Sequence, residues 1–333
     1  MSGEDAYARA GVSQSEADRA VAALVGALAA GASGESRQVL ASGHYANVVR
    51  IDEHTGIALS TDGVGTKLLV AEQLGRWDTV GIDCIAMNVN DVICVGATPL
   101  AMVDYLAVDR ADAAVAEQIG RGLAAGAEQA GVEIVGGELA QLGELIRGLD
   151  LAGACFGTVP LDSLITGSAI RPGDAVIGLP SSGLHSNGYT LARSALADVP
   201  LHDERLGRPL GEVLLEPTTI YVKPVLDLIA SDAEVRGLAH ITSGGLHNLL
   251  RLEAEVGYEV DSPLPAPPIF GLIRELGAVD DAEMREVFNM GCGFCAVVAH
   301  GDEAAALDVL RGHHPEAAVI GRVTGDAGTV ISR

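Results

Sequence analysis

The sequence predicts a two-domain protein of the α/β (α+β) class. Three observations carry that expectation. The chain has 333 residues, enough for about two domains of roughly 100–200 residues each. Strand-like apolar runs and helix-period segments alternate through both halves, with Gly-rich polar loops where the strands end, the pattern of layered sheet-and-helix folds. Hydrophobic residues make up 48% and aromatics only 3%, with 42 Gly, so the core is built from Ala, Val, Leu and Ile with close backbone approaches.

The elements follow in chain order. Ser13-x-x-Glu16 has the capping-box form, and Ala17, Ala20, Val21, Leu24, Val25 and Leu28 follow at helical spacing up to Gly31. Residues 32–43 are Gly/Ser-rich and read as a flexible loop. Segments 45–52 and 56–62 read as strands around a short Asp-Glu-His-Thr-Gly turn. Asp78 can cap a helix over 79–95, closed by Gly96. A strand is expected at 99–109, an Ala-rich amphipathic helix at 112–130, and strands at 132–136 and 149–159. Pro160 to Pro172 reads as a boundary, dividing the chain into 1–165 and 166–333. A strand at 174–179, a Gly/Ser loop and a helix from about Ser186 open the second half. The Pro-rich stretch 263–268 reads as a surface connection, and 293–299 as a buried strand.

The net charge is −24 at pH 7. So acidic a chain repels phosphate backbones, which argues against a nucleic-acid partner. No apolar run approaches the roughly 20 residues of a membrane helix, and the opening Met1-Ser2-Gly3-Glu4-Asp5 lacks the basic-then-apolar order of a secretion signal. A cytoplasmic protein without a membrane partner is expected. The five Cys are an odd set without a disulfide framework, and Cys292-Gly-Phe-Cys295 lies in an apolar run that favours core packing over metal or redox use. Lys occurs twice, at Lys67 and Lys223.

Five segments carry chemistry. In Ser60-Thr61-Asp62-Gly63-Val64-Gly65-Thr66-Lys67, Gly63 and Gly65 let backbone N–H groups approach phosphate oxygens, Lys67 offers a positive charge and Asp62 a hard ligand for Mg²⁺. The spacing is not that of a P-loop, and a plain strand–helix turn is the competing reading. Asn88-Val-Asn90-Asp91 interrupts an apolar helix, with Asp83, Met87, Asn90, Asp91 and Cys94 near one face. Its carboxylates need a cation or hydrogen-bond partners. Gly136-Gly137-Glu138 follows an apolar strand, placing Glu138 at a strand end. Asp62, Asp91 and Glu138 together form a candidate oxygen cage for Mg²⁺ bound to a nucleotide. In the second half, Ser181-Ser182-Gly183-Leu184-His185-Ser186-Asn187-Gly188 and His240-Ile241-Thr242-Ser243-Gly244-Gly245 share one grammar of hydroxyls, a His and glycines, which suits a second, phosphate-binding surface.

STDGVGTK at 60–67, GIDCIAMNVND at 81–91, GGE at 136–138, SSGLHSNGY at 181–189, EPTTIYVKPV at 216–225, HITSGGL at 240–246 and FNMGCGF at 288–294 resemble, in that order, the phosphoribosylformylglycinamidine cyclo-ligase (aminoimidazole ribonucleotide synthetase) family. The resemblance runs from Tyr7-Ala-Arg-Ala-Gly11-Val12 onward. It implies a homodimer whose N-terminal sheets pair into a shared barrel, ATP near the dimer interface, and a C-terminal α/β domain closing over the substrate. The implied reaction is ATP-dependent ring closure of formylglycinamidine ribonucleotide to 5-aminoimidazole ribonucleotide in purine synthesis. The resemblance further implies ATP contacts at Asp62, Gly63, Val64, Gly65, Thr66, Lys67, Asn90, Asp91, Gly136, Gly137 and Glu138, with Mg²⁺ on Asp62, Asp91 and Glu138. It implies substrate contacts at Ser182, His185, Ser186, Asn187, His240, Thr242, Gly244 and Gly245, with Lys67, His185 and His240 as catalytic groups. The chain departs from the family pattern at Ala8 (followed by Arg9), at Ser42–Ala46, at Leu139, at Ser243 and in the short Gln141–Gly148 loop. A related small-molecule kinase and a non-catalytic nucleotide-binding protein are the competing readings. The first would use ATP on another acceptor; the second would bind ATP without releasing ADP.

Overall fold

The computed structural model describes residues 14–31, 36–40 and 43–332. Ser13 of the capping box, the 7–12 motif with Ala8 and Arg9, and residues 32–35 and 41–42 of the expected loop lie outside the described residues. The first half opens with α1 (Gln14–Gly31), then β1 (Asn47–Arg50), β2 (Thr55–Gly63), a 3₁₀ turn at Gly65–Lys67, α2 (Leu68–Leu74), α3 (Val80–Ile93), β3 (Thr98–Val108), α4 (Ala113–Ala130), β4 (Glu133–Gln141) and β5 (Leu149–Pro160). The strands form one sheet in the order β1-β2-β5-β3-β4, antiparallel except for β3 and β4. That parallel pair needs a crossover, and α4 supplies it. Asp112 caps α4, accepting from Ala114 N and Val115 N. Asp78 does not cap α3; the residue before that helix is Thr79, which makes no side-chain cap.

Helix α3 lies close on β5 because two strand glycines leave room for it. A Cβ on Gly153 would stand 3.1 Å from Asn88 Nδ2 and from Cys84 Sγ; one on Gly157 would stand 2.9 Å from Val92. The sheet's other face carries the exposed apolar side chains of Leu59, Val103, Tyr105 and Phe156. Leu59 pairs with Phe156, while Gly63, Ala152 and Tyr105 continue in one row to Glu138.

The second half contains β6 (Ala175–Pro180), α5 (Tyr189–Ala195), α6 (Leu210–Leu214), α7 (Val222–Ile229), β7 (Val235–His240), a 3₁₀ segment at Gly245–Arg251, β8 (Gly257–Val260), α8 (Pro268–Gly277), α9 (Asp281–Val287), β9 (Cys292–Val298), α10 (Glu303–Arg311), β10 (Ala318–Thr324) and β11 (Val330–Ser332). Its six-stranded sheet runs β11-β8-β10-β6-β9-β7. Every residue of β9 is buried, and Cys292 and Cys295 sit inside it with their sulfurs 3.6 Å apart. Helix α5 begins three residues later than the sequence suggests. His185 at φ 63° and Gly188 at φ 73° turn the chain first, and the helix starts only after Gly188. No described helix is long and apolar enough to cross a membrane.

Candidate active site

The two halves meet along α3. Met87 faces Asn187, Asn90 faces Thr219 and Tyr221, and Asp91 faces His240. Asn90 donates to Thr219 O at 2.9 Å and accepts from Tyr221 N at 2.9 Å. Its amide is therefore spent on holding the 219–221 segment rather than a nucleotide. Asn88, on the next turn's flank, reads the backbone of Asp62: it accepts from Asp62 N at 2.9 Å and donates to Asp62 O at 3.1 Å. This sets the end of β2 against α3, close enough for Asp62 to feel the charge of Asp91.

Asp62 is the electrostatic centre of the site. Burial, and then the charge of Asp91, push its pKa up from 3.8 to about 6. Asp91 in turn holds His240 Nδ1 at 2.9 Å, while His240 Nε2 lies 3.5 Å from the Asn90 amide. Both imidazole nitrogens are thus occupied and the ring is fully buried. His240 orients Asp91 from a buried position, with neither ring nitrogen free.

Lys67 is sealed inside the protein. It is 0% exposed. Its Nζ donates to Asp83 Oδ1 at 2.9 Å, His185 O at 3.2 Å and Glu216 O at 2.6 Å. An ammonium has three protons, and all three are used, so none remains for an ATP phosphate. Burial lowers the Lys67 pKa, with Asp83 acting against it. Asp83 also accepts from Thr218 N at 2.7 Å and Thr218 Oγ1 at 2.6 Å. This cluster joins α3 and the 65–67 turn to the 185 and 216–218 loops.

His185 is buried as well. It is 1% exposed, and its Nε2 faces Ser182 N at 3.3 Å and Thr219 N at 3.5 Å. Burial, with the charges of His240 and Lys67, holds its pKa well below the ordinary value. It is a neutral ring that shapes its own loop. Ser186 Oγ is likewise paired with Thr218 Oγ1 at 3.0 Å, and Ser182 Oγ donates to Pro217 O at 2.5 Å.

Glu138 does not stand at a strand end. Strand β4 extends through it instead of ending before it, because 133–141 pairs with β3 along its length. Its row is Gly63–Ala152–Tyr105–Glu138, while Asp62 belongs to the row Asp62–Gly153–Asp104–Gly137. Directly paired residues share a face and neighbours in sequence do not. Glu138 therefore points away from Asp62 and stands three strands off, about 14 Å at the usual spacing. Within one chain the cage reduces to Asp62 and Asp91. Gly136 and Gly137 lie on the same exposed edge; a Cβ on Gly137 would meet Asp104 Oδ1 at 2.2 Å. Gly245 is buried, and a Cβ there would lie 2.0 Å from Arg285 O, so it permits packing rather than ligand contact.

What remains open is a coherent set. Gly65 and Thr66 are exposed, and Gly63, Asn187, Thr242 and Gly244 are half-buried; Val64 is buried beneath them, its N–H on Leu151 O. Thr66 Oγ1 lies 3.1 Å from Thr190 Oγ1, so the first Gly-rich loop and the 182–190 loop face each other. None of these residues lines the cavity of about 440 Å³ beside Arg285, Phe288 and Ile320. Thr218 and Asn248 were missed by sequence reasoning as site-building residues.

Two sheets joined around an acidic pair make a two-domain α/β protein whose halves both match AIR synthase-related domains. Two family models agree: "AIR synthase related protein, N-terminal domain" matches residues 43–159, and "AIR synthase related protein, C-terminal domain" matches residues 171–332. Among solved structures, hydrogenase maturation protein HypE in complex with ATP is similar at TM-score 0.62 and 20% identity, over 85% of this chain and 83% of that one. Thiamine monophosphate kinase from Aquifex aeolicus is similar at TM-score 0.60 and 20% identity, over 85% and 91%. These likenesses show the fold. Phosphoribosylformylglycinamidine cyclo-ligase of Methanothermobacter thermautotrophicus is 55% identical over 300 residues, 88% of this chain and 86% of that relative. The enzyme of the same name from Methanocaldococcus jannaschii is 48% identical over 323 residues, 95% and 91%. The chain belongs to the phosphoribosylformylglycinamidine cyclo-ligase family.

Proposed function

We propose that this chain catalyses ATP-dependent closure of formylglycinamidine ribonucleotide to 5-aminoimidazole ribonucleotide, releasing ADP and phosphate, as a step of purine biosynthesis in the cytoplasm. Beside family membership, one observation supports the reading: Asp62 and Asp91 lie together at the junction of the two halves, next to the open 63–66 and 242–244 loops. A half-buried carboxylate raised to about 6 by burial and then by its neighbour is a pair short of a cation, and hard oxygen donors suit Mg²⁺. The residues fit the ion. When bound there, it would supply positive charge to the phosphates of ATP.

The chemistry explains the need for ATP. An amide oxygen is a poor leaving group. Its attack on the γ-phosphorus expels ADP and gives a phosphorylated amide; the amidine nitrogen then attacks that carbon, and phosphate leaves with the oxygen. Both steps depend on positioning and charge neutralisation more than on covalent help from the protein. In this reading Gly65 and Thr66 line the phosphates through a backbone N–H and a hydroxyl, while the Gly63 N–H holds Asp62 Oδ1 at 2.7 Å. Asn187, Thr242 and Gly244 face the phosphorylated substrate. Residues 1–165 serve nucleotide binding and dimerisation, and 166–333 substrate binding. The homodimer would join the apolar sheet faces carrying Val103, Tyr105 and Phe156, burying Glu138 at the interface.

The deciding experiment measures ADP release and aminoimidazole formation together, with Mg²⁺–ATP, with and without formylglycinamidine ribonucleotide. Both products should appear only when that substrate is present. ADP released with other acceptors, or none released by folded protein, would refute the assignment.

A further inference from the structure

The 242–244 loop is moulded around one side chain. Asn248 is 8% exposed. Its Oδ1 accepts from Thr242 N at 2.8 Å and its Nδ2 donates to Ser243 O at 3.0 Å. Gly244, at φ 98°, passes so near that a Cβ would stand 2.9 Å from Nδ2. The loop needs an acceptor toward one backbone group and a donor toward the next, and an amide is a side chain that offers both at this length.

Asn248 is itself fixed from the other half of the molecule. Its backbone O accepts from Tyr45 Oη at 2.7 Å. The Arg251 guanidinium covers the Tyr45 ring at 4.2 Å and donates to Gly43 O and His44 O, both at 3.0 Å. Burial raises the Tyr45 pKa well above its ordinary value, so the phenol stays a donor. The chain before β1 is thereby tied to the loop that follows β7. At its other end the loop is tied through His240 to Asp91.

We propose that Asn248 is a positioning residue for the phosphorylated substrate, templating the Thr242–Gly244 turn, and that Tyr45, gripped by Arg251, holds the template in place from the first half. The inference rests on the reading above that this turn faces the substrate. An Asn248 defect would then appear in substrate affinity and spare that of ATP.

The test is steady-state kinetics of the full-length enzyme, with ribose 5-phosphate as a competing probe of the phosphate-bearing end. Asn248→Asp keeps the shape and the acceptor but sets a carboxylate oxygen against Ser243 O. The KM for formylglycinamidine ribonucleotide and the Ki of ribose 5-phosphate should rise about tenfold, the loss of a hydrogen bond, with KM for ATP within about twofold. As pH falls and the new carboxyl protonates, it regains a donor, and the substrate KM should return toward the wild-type value. Tyr45→Phe removes one hydroxyl and keeps the fold; it should raise the substrate KM by about threefold in the same pattern. Equal loss of affinity for ATP and substrate, or a fall in kcat with KM and Ki unchanged, would overturn the proposal. Thr242→Val separates the two levels. A substrate KM indifferent to both Thr242→Val and Asn248→Asp removes the turn from the substrate site altogether; one raised only by Thr242→Val removes Asn248 alone.

Discussion

At the scale of single residues, Asp62 carries a charge that its surroundings resist. Its pKa in the folded chain is about 6 against 3.8 ordinarily. The native state therefore keeps this proton after the unfolded state has lost it. Stability falls as pH rises from about 4 to 6 through this group, and the fall is complete above it. In Asp62→Asn that decline should vanish, read as the difference in Tm between variant and parent across this range with a chelator present. Mg²⁺ should stabilise the parent more above pH 6 than below it, and Asp62→Asn very little at either. An unchanged Mg²⁺ response in the variant would remove Asp62 from the cation site. Asp62 was legible because a carboxylate between a strand and two glycines is an unusual place for a charge. Lys67 was legible as special, but its burial was not: its three acceptors lie 16, 118 and 149 residues away in sequence, beyond any local pattern.

At the scale of elements, α3 organises the molecule. Helical spacing put Asp83, Met87, Asn90, Asp91 and Cys94 near one face, and Asp83, Met87, Asn90 and Asp91 meet the second half. Local periodicity fixes such a face because it needs only the helix itself. The placement of Glu138 could not be found that way. It depends on β4 being an edge strand three places from β2, a matter of nonlocal pairing. The element-scale prediction concerns the Lys67–Asp83 pair. Lys67→Met leaves a buried carboxylate without its cation and should cost about 3–5 kcal/mol, measured by denaturant unfolding, while the Kd for ATP in the surviving folded protein changes little. A variant of full stability with lost ATP affinity would return Lys67 to the phosphates.

At the scale of the whole molecule, the first sheet shows one face to α3 and leaves Val103 at 42% and Tyr105 at 44% exposed on the other. A contiguous apolar sheet face is a surface for association. Tyr105→Glu should shift a homodimer toward monomer in sedimentation velocity, with secondary structure unchanged; a variant that sediments as the parent does would place the interface elsewhere. The two-sheet layout was readable because strand and helix periods alternate through both halves. How the halves are bolted together was not, since the bolts are the 216–221 segment, Asn248 and Tyr45, whose partners are distant in the chain.

The sealed ammonium has a practical side. The sequence holds only two lysines, and Lys67 is closed to solvent while Lys223 is exposed. In the folded protein an amine-reactive dye should thus find one lysine side chain, Lys223, at the start of α7 in the second half. A fluorophore there would come without mutagenesis, and a second labelled lysine would report that the clamp between the two halves had opened.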